Sequence, residues 1–295
     1  MSVPAAYLSI ILIWSTTPLA IQWSTSGNDF LFPLMARMAI GLAICVVLLG
    51  IFRVRMPWHR DARMTYLAAG LGILGTMLCV YWSARYISSG LIALLFGLTP
   101  IFTSFAAAFW LDERNFTTSK ILGTLLGLAG LAAIFGSGLS LGEHAVAGIL
   151  VVLLAVILQS LSLVWVKRIG ANIPAMAVTS GALMLVAPML LLIWEIFDGV
   201  LPQTIAPRAS WAIAYLGVFG SVLGFNFYFY VIKRMEAGQI ALITLITPVS
   251  ALLLGQMLNG EEIQSGIWIG AACVLLGLLT HQWQVLSSGL SRNSS

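Results

Sequence analysis

The sequence predicts an all-α membrane protein: ten transmembrane helices arranged as two inverted five-helix repeats, with both termini cytoplasmic. Composition, the placement of basic residues and an internal repeat carry that prediction. Of 295 residues, 60% are hydrophobic and 8% charged, where an ordinary soluble domain is about a quarter charged. A mean hydropathy of +1.01 leaves too few polar side chains to coat a globule in water. The surrounding medium is lipid.

Each helix follows from a continuous apolar run. A bilayer core of roughly 30 Å takes about 20 residues at helical rise. Ten such runs occur, at 4–23, 31–52, 65–84, 88–111, 118–137, 146–166, 174–196, 209–232, 238–258 and 266–284. They are unbroken rather than alternating, which selects helices over the strands of a membrane barrel. The first lacks a basic n-region and leads straight into further spans, so it reads as a span and not as a cleaved leader. The second carries Pro33 and Arg37, the third ends in Tyr81 and Trp82, and the fourth has Pro100 at its middle. Gly123, Gly127 and Gly130 give the fifth a small-residue face, and Gly266 and Gly270 do the same for the tenth; such faces let helices pack closely. The sixth holds Gln159, Ser160 and Trp165, and the seventh ends beside Glu195. The eighth holds Asn226, Tyr228 and Tyr230, and the ninth has Pro248 at its middle.

The basic residues orient these spans. With the N-terminus inside, the cytoplasmic segments collect Arg53, Arg55, Arg60, Arg63, Arg114, Lys120, Lys167, Arg168, Lys233, Arg234 and Arg292. The external loops keep only Arg85 and Arg208, and Arg37 lies within a span. This is the positive-inside bias, and it accounts for the net charge of +4 without any nucleic-acid partner. Cys45, Cys79 and Cys273 fall within spans as small apolar fillers. His59, His144 and His281 have no ligand spacing, so neither a metal site nor a cofactor is expected.

Gly90-Leu91-Ile92-Ala93-Leu94 precedes Thr99-Pro100 and Glu113; 148 positions on, Gly238-Gln239-Ile240-Ala241-Leu242 precedes Thr247-Pro248 and Glu261. With one residue dropped, Gly123 and Gly130 answer Gly270 and Gly277. The chain divides into a first repeat at 1–139, a second at 140–287 and a short cytoplasmic tail at 288–295. Five spans is an odd number, so the second repeat enters from the opposite side, with Glu113 inside and Glu261 outside. Inverted repeats supply two nearly equivalent packings around a site at the midplane, which is the basis of alternating access.

Pro100 and Pro248 each remove a backbone donor and free the carbonyl four residues earlier, at Phe96 and Thr244. They form a paired hinge beside a substrate path, or else two static kinks. Arg37 is the only basic residue well inside a span, where a charge needs a partner or water. It binds a substrate carboxylate or ties span two to neighbouring carbonyls. The candidate substrate-binding set is Trp14, Ser15, Thr17, Arg37, Tyr81, Trp82, Thr99, Gln159, Ser160, Asn226, Tyr228 and Thr247. Together these outline a polar, aromatic-lined pocket for a small amphipathic solute. No HExxH, paired-aspartate or P-loop pattern occurs, so neither an enzyme nor direct ATP drive is expected.

Several strings resemble one family. They are Trp14-Ser15, Pro33 with Arg37, Ala93…Pro100…Leu111-Asp112-Glu113…Gly123…Gly130, and Ala241…Pro248…Gly260-Glu261…Gly270…Gly277. The pattern is similar to the drug/metabolite transporter superfamily, in its EamA branch of ten-span exporters, over essentially the whole chain. Asp112 departs from it, standing where that family often has glycine. The resemblance implies a secondary transporter of the bacterial inner membrane that exports small metabolites, often amino acids or their analogues. Arg37 resembles the family's span-two arginine. The expected partners are the substrate and the bilayer, with the chain acting as a monomer. The spans are poor in acids, which favours gradient-driven export over coupling to a proton or other ion. The alternatives are a channel or facilitator-type pore and a multidrug or nucleobase exporter of the same fold.

Overall fold

The computed structural model describes residues 3–27, 29–111, 117–140, 143–169, 173–224, 226–227, 231, 237–262 and 264–283, and every regular element among them is helical. In chain order these are α1 (Val3–Ser24), α2 (Leu31–Ile51), α3 (Arg60–Ser83), α4 (Ser89–Phe96), α5 (Thr99–Trp110), α6 (Thr118–Ser140), α7 (Glu143–Ile169) and α8 (Ala175–Phe197). Then follow α9 (Pro207–Tyr215), a π-helical stretch π1 (Leu216–Leu223), α10 (Ala237–Asn259) and α11 (Ser265–His281). Six apolar helices are long enough to cross a membrane: Val3–Ser24, Leu31–Ile51, Arg60–Ser83, Ser89–Trp110 (α4 with α5), His144–Ile169 and Ala175–Phe197. Thr118–Ile134, Leu245–Asn259 and Ser265–His281 are shorter apolar helices.

Three elements depart from the sequence reading. The run at 88–111 is not one helix, because Pro100 cannot donate and the chain narrows at Gly97 and Leu98. There Leu98 N–H donates to the Leu95 carbonyl three residues back, at 3.0 Å, which is a tightened turn. The run from 209 begins as α9 but widens into π1 over Leu216–Leu223. Gly217 and Gly220 lie in this stretch, and both let α2 approach it closely. A Cβ on Gly217 would stand 2.6 Å from Ile40, and one on Gly220 3.0 Å from the Arg37 guanidinium. Helix α3 starts earlier than its apolar run, since His59 accepts from Ala62 N–H and caps a first turn carrying Asp61.

The helices pair in a definite pattern. Helix α6 packs on α11, α3 on α7 and α8, and α2 on α8 and π1. Helix α10 packs on α4 and α1, α5 on α7, and α1 on α9. The α6–α11 contact is backbone on backbone. A Cβ on Gly123 would lie 2.5 Å from the Gly277 carbonyl oxygen, and one on Gly130 2.7 Å from that of Gly270. Low numbers on one helix meet high numbers on the other, so the two run antiparallel. Polar ties reinforce α3 against α7: Ser162 donates to the Ala68 carbonyl at 3.0 Å and Thr76 to that of Ala155 at 3.3 Å. Large apolar side chains coat the outside, with Phe109 86% and Phe197 77% exposed. Hydrocarbon is the medium in which that exposure costs nothing.

Candidate translocation path

Helix α1 carries a polar stretch between two apolar anchors. Ala6 and Ile10 pack with Val231 and Ile243, whereas Ala20 and Ile21 belong to the main core. Between them, Thr17 donates to the Ile13 carbonyl at 2.6 Å, and Thr16 shares a 2.6 Å hydrogen bond with the Tyr215 hydroxyl. Ser15 is buried, and its hydroxyl has no partner among the described residues. The Trp14 ring nitrogen lies against Gly224, 3.3 Å from where a Cβ would stand. Such buried orphan hydroxyls are rare in settled cores and mark places where water or a ligand completes the bonding.

The break between α4 and α5 gathers two more candidates. The Thr99 hydroxyl donates at 2.6 Å to the Phe96 carbonyl, the acceptor that Pro100 leaves free. The Thr99 carbonyl in turn accepts from Ser160 of α7 at 3.4 Å. One turn further on, the Thr103 hydroxyl is buried without a partner among the described residues. Gln159, beside Ser160, is half-buried. Asn226 donates to the Val222 carbonyl and Thr247 to that of Ile243, both at 2.9 Å. A side chain that bonds its own helix this way keeps oxygen lone pairs free for a solute's donors. Tyr228 lies outside the described residues. The two prolines are not housed alike: Pro100 follows a break, whereas Pro248 sits inside the unbroken α10.

A clasp centred on Glu261 ties several helix ends together. Its carboxylate accepts from Ser89 N–H at 3.2 Å, the Ser89 hydroxyl at 2.6 Å and Gly90 N–H at 3.2 Å, so it caps α4. A negative charge at a helix N-terminus satisfies orphan donors and meets the positive end of the helix dipole. Asn259 donates to the same carboxylate at 3.2 Å and to the Gln22 side-chain carbonyl at 3.3 Å, and it accepts from Trp23 at 2.9 Å. Arg208 covers the Trp23 ring at 4.0 Å and donates to the Leu258 carbonyl at 3.2 Å. The ends of α1, α4, α9 and α10 are thereby joined.

Arg37 and Tyr81 meet elsewhere, between α2, α3 and π1. Arg37 is 2% exposed. Its Nε donates to the Ser221 hydroxyl at 2.9 Å, and Nη1 reaches the Tyr81 hydroxyl at 3.4 Å. Trp82 belongs to neither group. Its ring lies 4.8 Å from that of Tyr86, with Arg85 set over Trp82, Tyr86 and Phe30, and Tyr86 stacks on His144. Residue-by-residue reading missed Ser221 and the partners of Glu261. A polar residue among the glycines of π1 was the only trace of the first. The second joins positions 172 residues apart, which no local pattern reveals.

An apolar-coated bundle with six helices long and apolar enough to cross a membrane defines a multi-pass membrane protein. The model of the EamA-like transporter family matches the chain twice, at residues 4–136 and 146–280. The chain belongs to that family, within the drug/metabolite transporter superfamily. It is 27% identical over 276 residues to an uncharacterized transporter, YoaV, of Bacillus subtilis, covering 92% of this chain and 93% of that one. It is likewise 27% identical over 282 residues to an uncharacterized inner membrane transporter, YedA, of Escherichia coli, covering 93% and 88%. A protein of Streptantibioticus cattleyicolor named as a probable terminal-alkyne amino-acid exporter is 26% identical over 278 residues, covering 93% and 91%. A solved crystal structure aligns with a TM-score of 0.67 over 97% of this chain and 99% of its own, at 21% identity, and shares the fold.

Proposed function

We propose that this protein is a secondary transporter exporting small metabolites, amino acids or related amphipathic solutes, across the inner membrane by alternating access. In this reading ten spans form inverted repeats at 1–139 and 140–287, both termini and the tail at 288–295 are cytoplasmic, and the chain works as a monomer. The supporting observation is reciprocal packing. Gly123 meets Gly277 and Gly130 meets Gly270, while the repeat equates Gly123 with Gly270 and Gly130 with Gly277. Exchanging the halves therefore turns one contact into the other. The same exchange carries the α1–α10 packing onto that of α7 with α5, and the α3–α7 packing onto that of α9 with α1. Antiparallel partners related in this way have their two-fold axis in the membrane plane, the arrangement of rocking carriers.

The solute path runs past Trp14, Ser15, Thr17, Thr99, Gln159, Ser160, Asn226, Tyr228 and Thr247, with Pro100 and Pro248 as hinges, Trp82 at the rim, and the Arg37–Tyr81 pair between α2, α3 and π1 as a separate contact for the solute. The Glu261 clasp closes its external end. Among the described residues no acid lies along it, which favours export driven by the solute's own gradient. The amino-acid class is favoured by the relative named as an amino-acid exporter. Counterflow of labelled amino acids, nucleobases and cationic drugs in proteoliposomes tests the reading. Saturable uptake stimulated by counter-substrate is expected. Unsaturable conductance would instead identify a pore. Flux that collapses with an uncoupler, at unchanged solute gradient, would reassign the driving force to protons. Cysteine labelling is expected to find positions 113 and 261 on opposite faces, and labelling from the same face overturns the inverted topology.

A further inference from the structure

Arg37 is a buried cation with no acid paired to it among the described residues. Among those residues its polar side-chain contacts are all neutral: the Ser221 hydroxyl at 2.9 Å, the Tyr81 hydroxyl at 3.4 Å and the Met77 sulfur at 3.8 Å. These contacts engage Nε and Nη1, while Nη2 donates to none of the described residues. The guanidinium cannot shed its proton, and an uncompensated ion in a low-dielectric interior costs several kcal/mol. The carboxylates of the surrounding helices are distant. Asp61 is sixteen residues from Met77 along α3, and Glu195 sixteen residues from Thr179 along α8, each about 24 Å of helix. Asp29, ahead of α2, is eight residues from Arg37, about 12 Å.

A cavity of about 10 Å³ opens beside the guanidinium, walled by Arg37, Thr179 and Ser221 with Met38, Ile73 and Leu183. That is room for a single water-sized group. Thr179 is 3% exposed, and its hydroxyl has no hydrogen-bond partner among the described residues. Ser221 accepts from Arg37 Nε, which leaves its own proton to be donated. The Thr179 and Ser221 hydroxyls wall the same space and can each turn a proton into it. A neutral water can bond to those hydroxyls but cannot compensate the guanidinium charge. An anion can, and it supplies the missing charge.

We propose that this cavity binds one small anion, either a monatomic halide or a carboxylate oxygen of a solute. The halide source is independent of the transport reading, and the carboxylate source rests on it. Purified protein in nanodiscs is unfolded thermally in methanesulfonate, too bulky for the cavity, and again in chloride, bromide or acetate. A saturable rise in Tm with chloride and bromide, reduced at least tenfold in apparent affinity by Thr179→Val, establishes a halide site. A bromide anomalous peak beside Arg37 does so as well. A rise with acetate alone, lost in the same variant, assigns the site to carboxylates. Tm values matching those in methanesulfonate, or shifts that Thr179→Val leaves unchanged, overturn the proposal. Thr179→Val keeps the side chain's shape, so it reports on the site even where Arg37→Gln fails to fold. Because no flux is measured, loss of counterflow activity and loss of anion binding are separate outcomes.

Discussion

Glu261 concentrates more consequence than any other single side chain here. It holds two backbone N–H groups, a hydroxyl and an amide in one place, and hydrogen bonds to a charged group contribute about 1.5–3 kcal/mol each. Glu261→Ala leaves the start of α4 uncapped and loosens the closed end. In a background lacking the three native cysteines, Ser15→Cys is expected to label from outside roughly tenfold faster with Glu261→Ala, which corresponds to about 1.4 kcal/mol. An unchanged rate would mean that the clasp does not govern access. Asp29 gives a second test at this scale. Burial pushes its carboxyl above the ordinary carboxylate range, and the neighbouring Asp198 adds to the shift. A raised carboxyl holds its proton more tightly when folded, so its contribution is present at low pH and lost as pH rises through the raised value. Asp198→Asn is therefore expected to raise Tm slightly at neutral pH, with the gain vanishing in acid. A gain of the same size at both pH values would place the effect elsewhere.

At the scale of elements, glycine decides which helices may touch. Gly130 stands with its missing Cβ 2.7 Å from a carbonyl oxygen, whereas a Cβ on Gly136 would meet nothing within 4 Å. Gly130→Val is expected to cost about 1–3 kcal/mol through overpacking, seen as a lowered Tm, while Gly136→Ala is silent. Equal effects of the two would deny the backbone contact. For the break between α4 and α5, Pro100→Ala restores the N–H that Phe96 lacks and lets the helix heal across Gly97–Leu98. Transport slower than that of the parent at equal expression is expected, and parental transport would remove the hinge role. The long apolar runs and the glycine face of α6 were legible in the sequence, because lipid demands continuous apolar surface and close packing demands missing side chains. The π1 stretch was not, since nothing in the apolar run over Leu216–Leu223 distinguishes a wider helix from an α-helix. Nor was the unequal housing of Pro100 and Pro248, since matching sequence positions can sit in different local helices.

For the whole molecule, the repeat was legible because duplication leaves punctuation behind, whereas the site was legible only as a set of residue types. Ser160 and Thr99 lie 61 residues apart and meet, but Trp82 and Arg37, both candidates, face other neighbours. Membrane helices offer many polar side chains a bond within their own backbone, as Thr17 and Thr247 do, so polarity alone does not reveal which of them a solute will see.

The bare-backbone seam between α6 and α11 joins one half of the chain to the other without needing the peptide that links them. Fragments 1–140 and 141–295, produced separately in the same cell, should find each other and co-purify as a working pair, whereas Gly123→Val in the first fragment should strand both. Such reassembly would make the present single gene equivalent to a pair of subunits fused end to end, with the seam as their original interface.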